Sequence, residues 1–267
     1  MEPLLSYEER GPADADAVLL LHGFPLHRGM WTAVAEALAA AGHRVILPDL
    51  RGHGDSAASE DGSMTAMAED VLALAHHLGL QRFVLGGFSM GGYVALEVAR
   101  RAPQRLRGLV LVDTRTGADD EAARRGRKDT AAMVRREGMR ALADAMLPKL
   151  LAKRHLEQHP DLVAAVRAMI LENPVDGAVA ALSGMAVRRD QADTLKAYGG
   201  PVLVLVGKED TITPVEEAES MVATAERAGL EVIEGAAHLV PLERAPECAA
   251  AVAQWLTAVP EAATRTA

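Results

Sequence analysis

A serine framed by glycines, Gly87-Phe88-Ser89-Met90-Gly91, is the stretch of this chain best suited to chemistry. Arg82 to Gly86 before it read as a short buried strand, and Tyr93 to Arg100 after it as an amphipathic helix. A turn tight enough to join the two presses the residues two positions either side of the serine against backbone, so both flanks favour glycine. The same turn lifts the serine hydroxyl above the strand ends and aims the Met90 amide at the same point. A hydroxyl presented in this way can attack a carbonyl if an imidazole takes its proton. Three fixed positions are a weak signal alone; the strand-turn-helix setting and the residues downstream give it weight.

His238 is the best placed of the nine histidines. It lies in Gly235-Ala236-Ala237-His238, just after a strand expected over Leu230 to Glu234. In an open parallel sheet the loops at the carboxyl ends of strands gather along one edge, which brings this loop within reach of Ser89. The imidazole needs a carboxylate to hold its tautomer, and Asp210 follows the strand expected over Val202 to Val206 at the same edge. Asp113 also ends a strand and is the rival for that role. Thr213, Pro214 and Glu216 read as a helix start, with Thr213 as cap and Glu216 closing a capping box. A developing oxyanion needs two donors. The Met90 amide, at a helix start, is one, and the Phe24 amide in the loop His22-Gly23-Phe24-Pro25 is the other. His22 itself reads as structural, whereas His53 with Asp55 looks in isolation like a second catalytic pair. This chemistry uses only the chain's own groups, so no cofactor and no metal are expected.

The elements that must position these groups alternate along the first part of the chain. Ala17 to Leu21, His43 to Leu47 and Gly108 to Val112 are apolar runs of strand length, and Leu4 to Glu9 is a fainter candidate. Helical periodicity spans Trp31 to Ala41 and Ala66 to Leu78, each stopped by a glycine. Strand-helix alternation predicts a mostly parallel sheet with right-handed crossovers, an α/β fold. The pattern breaks after Asp113. Residues 116–192 hold no convincing strand and read as a helical insertion, with helices over Glu121 to Glu137, Gly138 to Leu151, Asp161 to Leu171 and Val175 to Val187. Residues 1–115 and 193–267 would then form the core domain, closed by a helix over Pro246 to Ala258 and a frayed tail after Pro260.

A chain of 267 residues, 49% hydrophobic and 24% charged, has the texture of a globular protein with a substantial core. Its net charge of −9, with no basic stripe, argues against a nucleic-acid or anionic-membrane partner. The single cysteine, Cys248, excludes an internal disulfide and a C-x-x-C site. Met1-Glu2-Pro3 opens no basic and apolar leader, and the first apolar run is too short to span a bilayer, which points to a cytoplasmic location.

The chain resembles the α/β-hydrolases. The matching pieces are His22 to Pro25, the stretch Pro48-Asp49-Leu50-Arg51-Gly52-His53-Gly54-Asp55-Ser56, the elbow around Ser89, Gly207 to Asp210 with Pro214, and Gly235 to His238. Their order, Ser then Asp then His, is that family's order. The resemblance implies an α/β-hydrolase fold with the helical segment capping the site. It assigns Ser89, His238 and Asp210 to a catalytic triad, and it implies a small-molecule ester or lactone as substrate. A serine at the elbow, where related dehalogenases and epoxide hydrolases carry aspartate, places the chain in the serine branch. Its texture is similar to small carboxylesterases and enol-lactonases. Cofactor-free perhydrolases and carbon–carbon bond hydrolases share the triad, and a ligand receptor that retains the pocket would share it too. Methionines and leucines of the cap, Met133, Met139, Met146 and Met169 among them, would either face an acyl group or fill the core.

Overall fold

Seven strands form one sheet in this computed structural model, which describes residues 5–260. They are β1 (Tyr7–Arg10), β2 (Ala17–Leu21), β3 (Arg44–Pro48), β4 (Phe83–Phe88), β5 (Leu106–Val112), β6 (Val202–Gly207) and β7 (Ala228–Ile233). The order across the sheet is β1-β3-β2-β4-β5-β6-β7, with β1 antiparallel to β3 and every other pair parallel. The faint first strand expected from Leu4 thus begins at Tyr7; Leu4, like the tail 261–267, lies outside the described residues.

Every residue of β2, β4, β5 and β6 is buried, because crossover helices cover both faces of the sheet. Thr32–Ala40 and Ala245–Leu256 pack together on one face, and Met64–His77 with Met90–Arg101 on the other. At the edge the burial of β7 alternates, as it should for a strand wetted on one side. The chain leaves β2 toward β3 in one direction and β4 toward β5 in the other. That reversal opens a crevice above the carboxyl ends of β2 and β4, the place where α/β sheets bind ligands.

Between β5 and β6 the described chain forms helices only: Glu121–Leu150, Lys153–Gln158, Pro160–Glu172, Val175–Ala186 and Ala192–Ala197. The first is two helices meeting at Gly138, whose φ of 77° is non-helical, as the expected break between Glu137 and Gly138 required. Val175–Ala186 lies against the core loops at backbone distance. A Cβ on Gly177 would collide with the Gly52 carbonyl, and one on Gly184 with that of Gly62. Most of the large apolar side chains of these helices are buried or partly buried. Met139, Leu147, Leu150, Ile170 and Met185 are buried, and Met133, Met146 and Met169 are partly buried against them. No helix among the described residues is long and apolar enough to cross a membrane.

Candidate active site

The turn from β4 into the helix Met90–Arg101 holds Ser89 at φ 49° and ψ −112°, a conformation that costs on the order of 1–3 kcal/mol for a non-glycine residue. Surrounding contacts over-determine it. The Ser89 amide donates to Val112 O at 2.9 Å, and its carbonyl accepts from the Thr114 hydroxyl at 2.8 Å. A Cβ on Gly87 would strike the Gly91 carbonyl, and one on Gly91 would lie 2.5 Å from Leu21 O. Neither flank of the serine has room for a side chain. Ser89 itself remains half-buried, with its hydroxyl at the crevice.

Opposite it stands His238, carried by the loop after β7 and 2% exposed. Its Nε2 lies 3.0 Å from Ser89 Oγ and its Nδ1 2.8 Å from Asp210 Oδ2. Burial pushes the Asp210 carboxyl up, but the charge and hydrogen bond of His238, with the hydroxyl and amide of Thr213, hold it below its ordinary 3.8. An ionised Asp210 accepts from Nδ1–H, which leaves Nε2 as the acceptor for the serine hydroxyl. A hydroxyl joined to an imidazole that is held by a buried carboxylate can lose its proton as it attacks an electrophile.

Thr213 was expected to cap the following helix, and that expectation is corrected. The helix Val215–Thr224 has Pro214 at its cap position and no side-chain cap. The Thr213 hydroxyl donates instead to Asp210 Oδ2 at 2.6 Å, while the amides of Ile212 and Thr213 donate to Oδ1. The hydroxyl that donates to this carboxylate accepts from no amide at the helix start, so the expected cap is not formed.

The rival, Asp113, is not in this chain of hydrogen bonds. It sits fully buried at the end of β5 with φ 45°; its Oδ1 accepts from the Gly207 amide at 2.8 Å, and its Oδ2 has no partner. Burial, and then the negative charge of Asp210, push its carboxyl well above 3.8. The folded protein therefore keeps a proton there that the unfolded chain releases near 3.8. Stability from this group falls as pH rises through the window between the two values. Asp113→Asn keeps the acceptor for Gly207 and removes the ionisation. Its urea midpoint is expected to gain on that of the parent as pH is raised from about 4; parallel pH profiles would contradict the assignment.

Met90 is the first residue of its helix, so its amide has no acceptor within the helix. Phe24 lies in the loop after β2, and its amide donates to no backbone carbonyl among the described residues. Both loops rise at the crevice between β2 and β4. His22 is structural. Its Nε2 accepts from the Leu50 amide at 2.9 Å and its Nδ1 donates to Gly23 O at 3.1 Å, while burial keeps its pKa well below the ordinary 6.5. His53, lowered to about 4 by burial, has Nδ1 3.1 Å from Arg51 O, and Asp55 turns outward to Arg28. Those two do not form a pair.

Two supports escaped the sequence reading. Glu243, buried, accepts from the Ala237 amide at 2.8 Å and the Ala152 amide at 2.7 Å, and also meets His155 Nδ1. It thereby ties the His238 loop to the helix Lys153–Gln158 and the residue before it. Asn173 donates to Pro25 O at 2.8 Å and accepts from the Gly54 amide at 2.8 Å, which ties the Phe24 loop to the end of the helix Pro160–Glu172. Their partners are too far away in sequence for local spacing to reveal either residue.

A family model described as the alpha/beta hydrolase fold matches residues 16–245. Among solved structures, a thermophilic esterase from Thermogutta terrifontis is 44% identical, with a TM-score of 0.92 over 96% of this chain and 93% of its own. The enol-lactonase from Burkholderia xenovorans LB400 is 26% identical, with a TM-score of 0.89 over 95% of this chain and 96% of its own. By sequence, 3-oxoadipate enol-lactonase 2 from Acinetobacter baylyi is 25% identical over 241 residues, which cover 90% of this chain and 88% of the relative.

Proposed function

The chain belongs to the α/β-hydrolase fold family, and from that premise we propose that it is a serine hydrolase cleaving a small carboxylic ester or lactone through an acyl-enzyme. One observation carries the reading: the continuous line from Asp210 Oδ2 through His238 to Ser89 Oγ, at 2.8 and 3.0 Å.

Ser89 Oγ attacks the substrate carbonyl carbon while its proton passes to His238 Nε2. The carbonyl oxygen becomes an oxyanion between the amides of Met90 and Phe24; loss of either donor would cost about 2.7 to 4 kcal/mol in the transition state. Collapse breaks the bond to the alkoxy oxygen, which takes the proton from Nε2 and leaves as the alcohol. In a lactone that alcohol stays tethered to the acyl group. Water then gives a proton to Nε2 and attacks the acyl carbon, and the returning proton frees Ser89 and the acid. Asp210 remains ionised throughout and stabilises the imidazolium.

The test is a panel of p-nitrophenyl esters of increasing acyl length beside a set of lactones followed by acid release. The expected result is saturable turnover with a burst of p-nitrophenol on the better esters. A folded sample that turns over no ester or lactone above the buffer rate would overturn the reading, and ligand binding without turnover would favour a receptor.

A further inference from the structure

Away from the triad, a cavity of about 220 Å³ opens beneath the end of the last long cap helix. At about 30 Å³ per water it has room for roughly seven, the scale of a small organic molecule. None of Ser89, His238 or Asp210 lines it. Its walls come from four places that the fold draws together: the start of the helix Met64–His77, the Tyr93 to Glu97 face of the elbow helix, Arg115 and Thr116 after β5, and the segment Gly184 to Gln191.

The charge of this cavity is one-sided. Its single carboxylate, Glu97, is fully engaged: Oε1 accepts from Arg100 and Thr65, and Oε2 from Arg100 and Gln191. The arginines are not matched in the same way. Arg115 reaches a carboxylate only at 3.7 Å, in Glu217, and Arg189, exposed at the rim, has no ion-pair partner among the described residues. Arg188, its side chain 3% exposed, shares the one carboxylate of Asp119 with Arg127 and donates to the carbonyls of Gly117 and Met185. Its Cζ lies 4.1 Å from the centre of the Tyr93 ring, which fixes the guanidinium against the wall, and its Nε is buried without a partner. Ser63, Met64 and Thr65 add the amino end of a fourteen-residue helix, whose dipole also favours an anion. The apolar part of the lining is Met64, Leu96 and a Val187 left 75% exposed. From sequence, the paired arginines Arg188 and Arg189 suit either a solvated face or a substrate carboxylate, and the buried Arg188 does not fit the solvated face.

We propose that this cavity is a second binding site, separate from the triad, for a small organic carboxylate whose acid group meets Arg115 and Arg189 and whose short apolar body lies on Met64, Leu96 and Val187. A carboxylate supplies the charge that Glu97, already saturated, does not. The apolar body covers a valine that the fold leaves in water.

The probe is sodium butyrate, added to methyl-labelled protein at constant ionic strength and followed by the methionine methyl signals. Met64 reports this cavity, and Met90 reports the surroundings of Ser89. The Met64 signal is expected to shift saturably with butyrate and not with neutral butyramide. Arg115→Gln and Arg189→Gln should each weaken that binding by about tenfold or more, the scale of one lost charge-assisted hydrogen bond. Arg189 is exposed, so its variant folds as the parent does. The proposal is overturned if Met64 does not respond saturably, if butyramide acts as butyrate does, if both variants bind as the parent, or if only Met90 responds. None of these outcomes bears on whether Ser89 is a nucleophile.

Discussion

Ser89→Ala is expected to lower kcat on the best ester by about 10⁴-fold or more, because the proposed acyl-enzyme forms on this hydroxyl. That factor corresponds to about 5.4 kcal/mol or more of transition-state stabilisation. The fold should be untouched. The serine hydroxyl makes one side-chain hydrogen bond, to His238, and alanine accepts the backbone strain of the elbow no worse than serine does. The expected change in unfolding free energy is within about 1 kcal/mol. A KM close to the parental value would show that the binding crevice persists. Activity within a few-fold of the parent would remove the mechanism at its first step.

Asp210→Asn should be nearly as severe, at about 10⁴-fold in kcat, since a neutral amide neither holds Nδ1 protonated nor stabilises the imidazolium. The informative comparison is Asp113→Asn. Both aspartates follow core strands, both are buried, and both were candidates on sequence. Only Asp210 lies 2.8 Å from His238 Nδ1, and the Asp113 carboxyl is driven toward its neutral form by burial and by Asp210 itself. Asp113→Asn is therefore expected to keep kcat within a few-fold of the parent while changing the pH dependence of stability. The opposite ranking, with Asp113→Asn inactive and Asp210→Asn active, would reassign the acid.

What the chain discloses before folding depends on the distance over which each constraint acts. The elbow was legible because Gly87, Ser89 and Gly91 must satisfy a steric condition within five residues, and the same condition appears as backbone collisions at both glycines. The break at Gly138 was legible for a similar local reason. His238 and Asp210 could be placed at the reactive edge because parallel strands send their following loops there. Their actual distances are tertiary facts. Thr213 misled because a capping motif is only a local preference worth about 1 kcal/mol, and its hydroxyl is held instead by the Asp210 carboxylate and accepts from no helix amide. Glu243 and Asn173 were invisible for the opposite reason. Glu243 meets Ala152 across 91 positions and Asn173 meets Pro25 across 148, and no periodicity links such pairs. Arg188 was obscured by its neighbour. Two adjacent arginines at a helix end look alike in sequence, and only Asp119 and the Tyr93 ring draw one of them inward.

The most direct test of the central claim is reaction of the folded protein with a fluorophosphonate, followed by peptide mapping of the adduct. A single phosphonyl group on Ser89, absent from Ser89→Ala and formed far more slowly in His238→Ala, is the predicted result. A folded parent that stays unlabelled, or that carries the adduct on another residue, would contradict it.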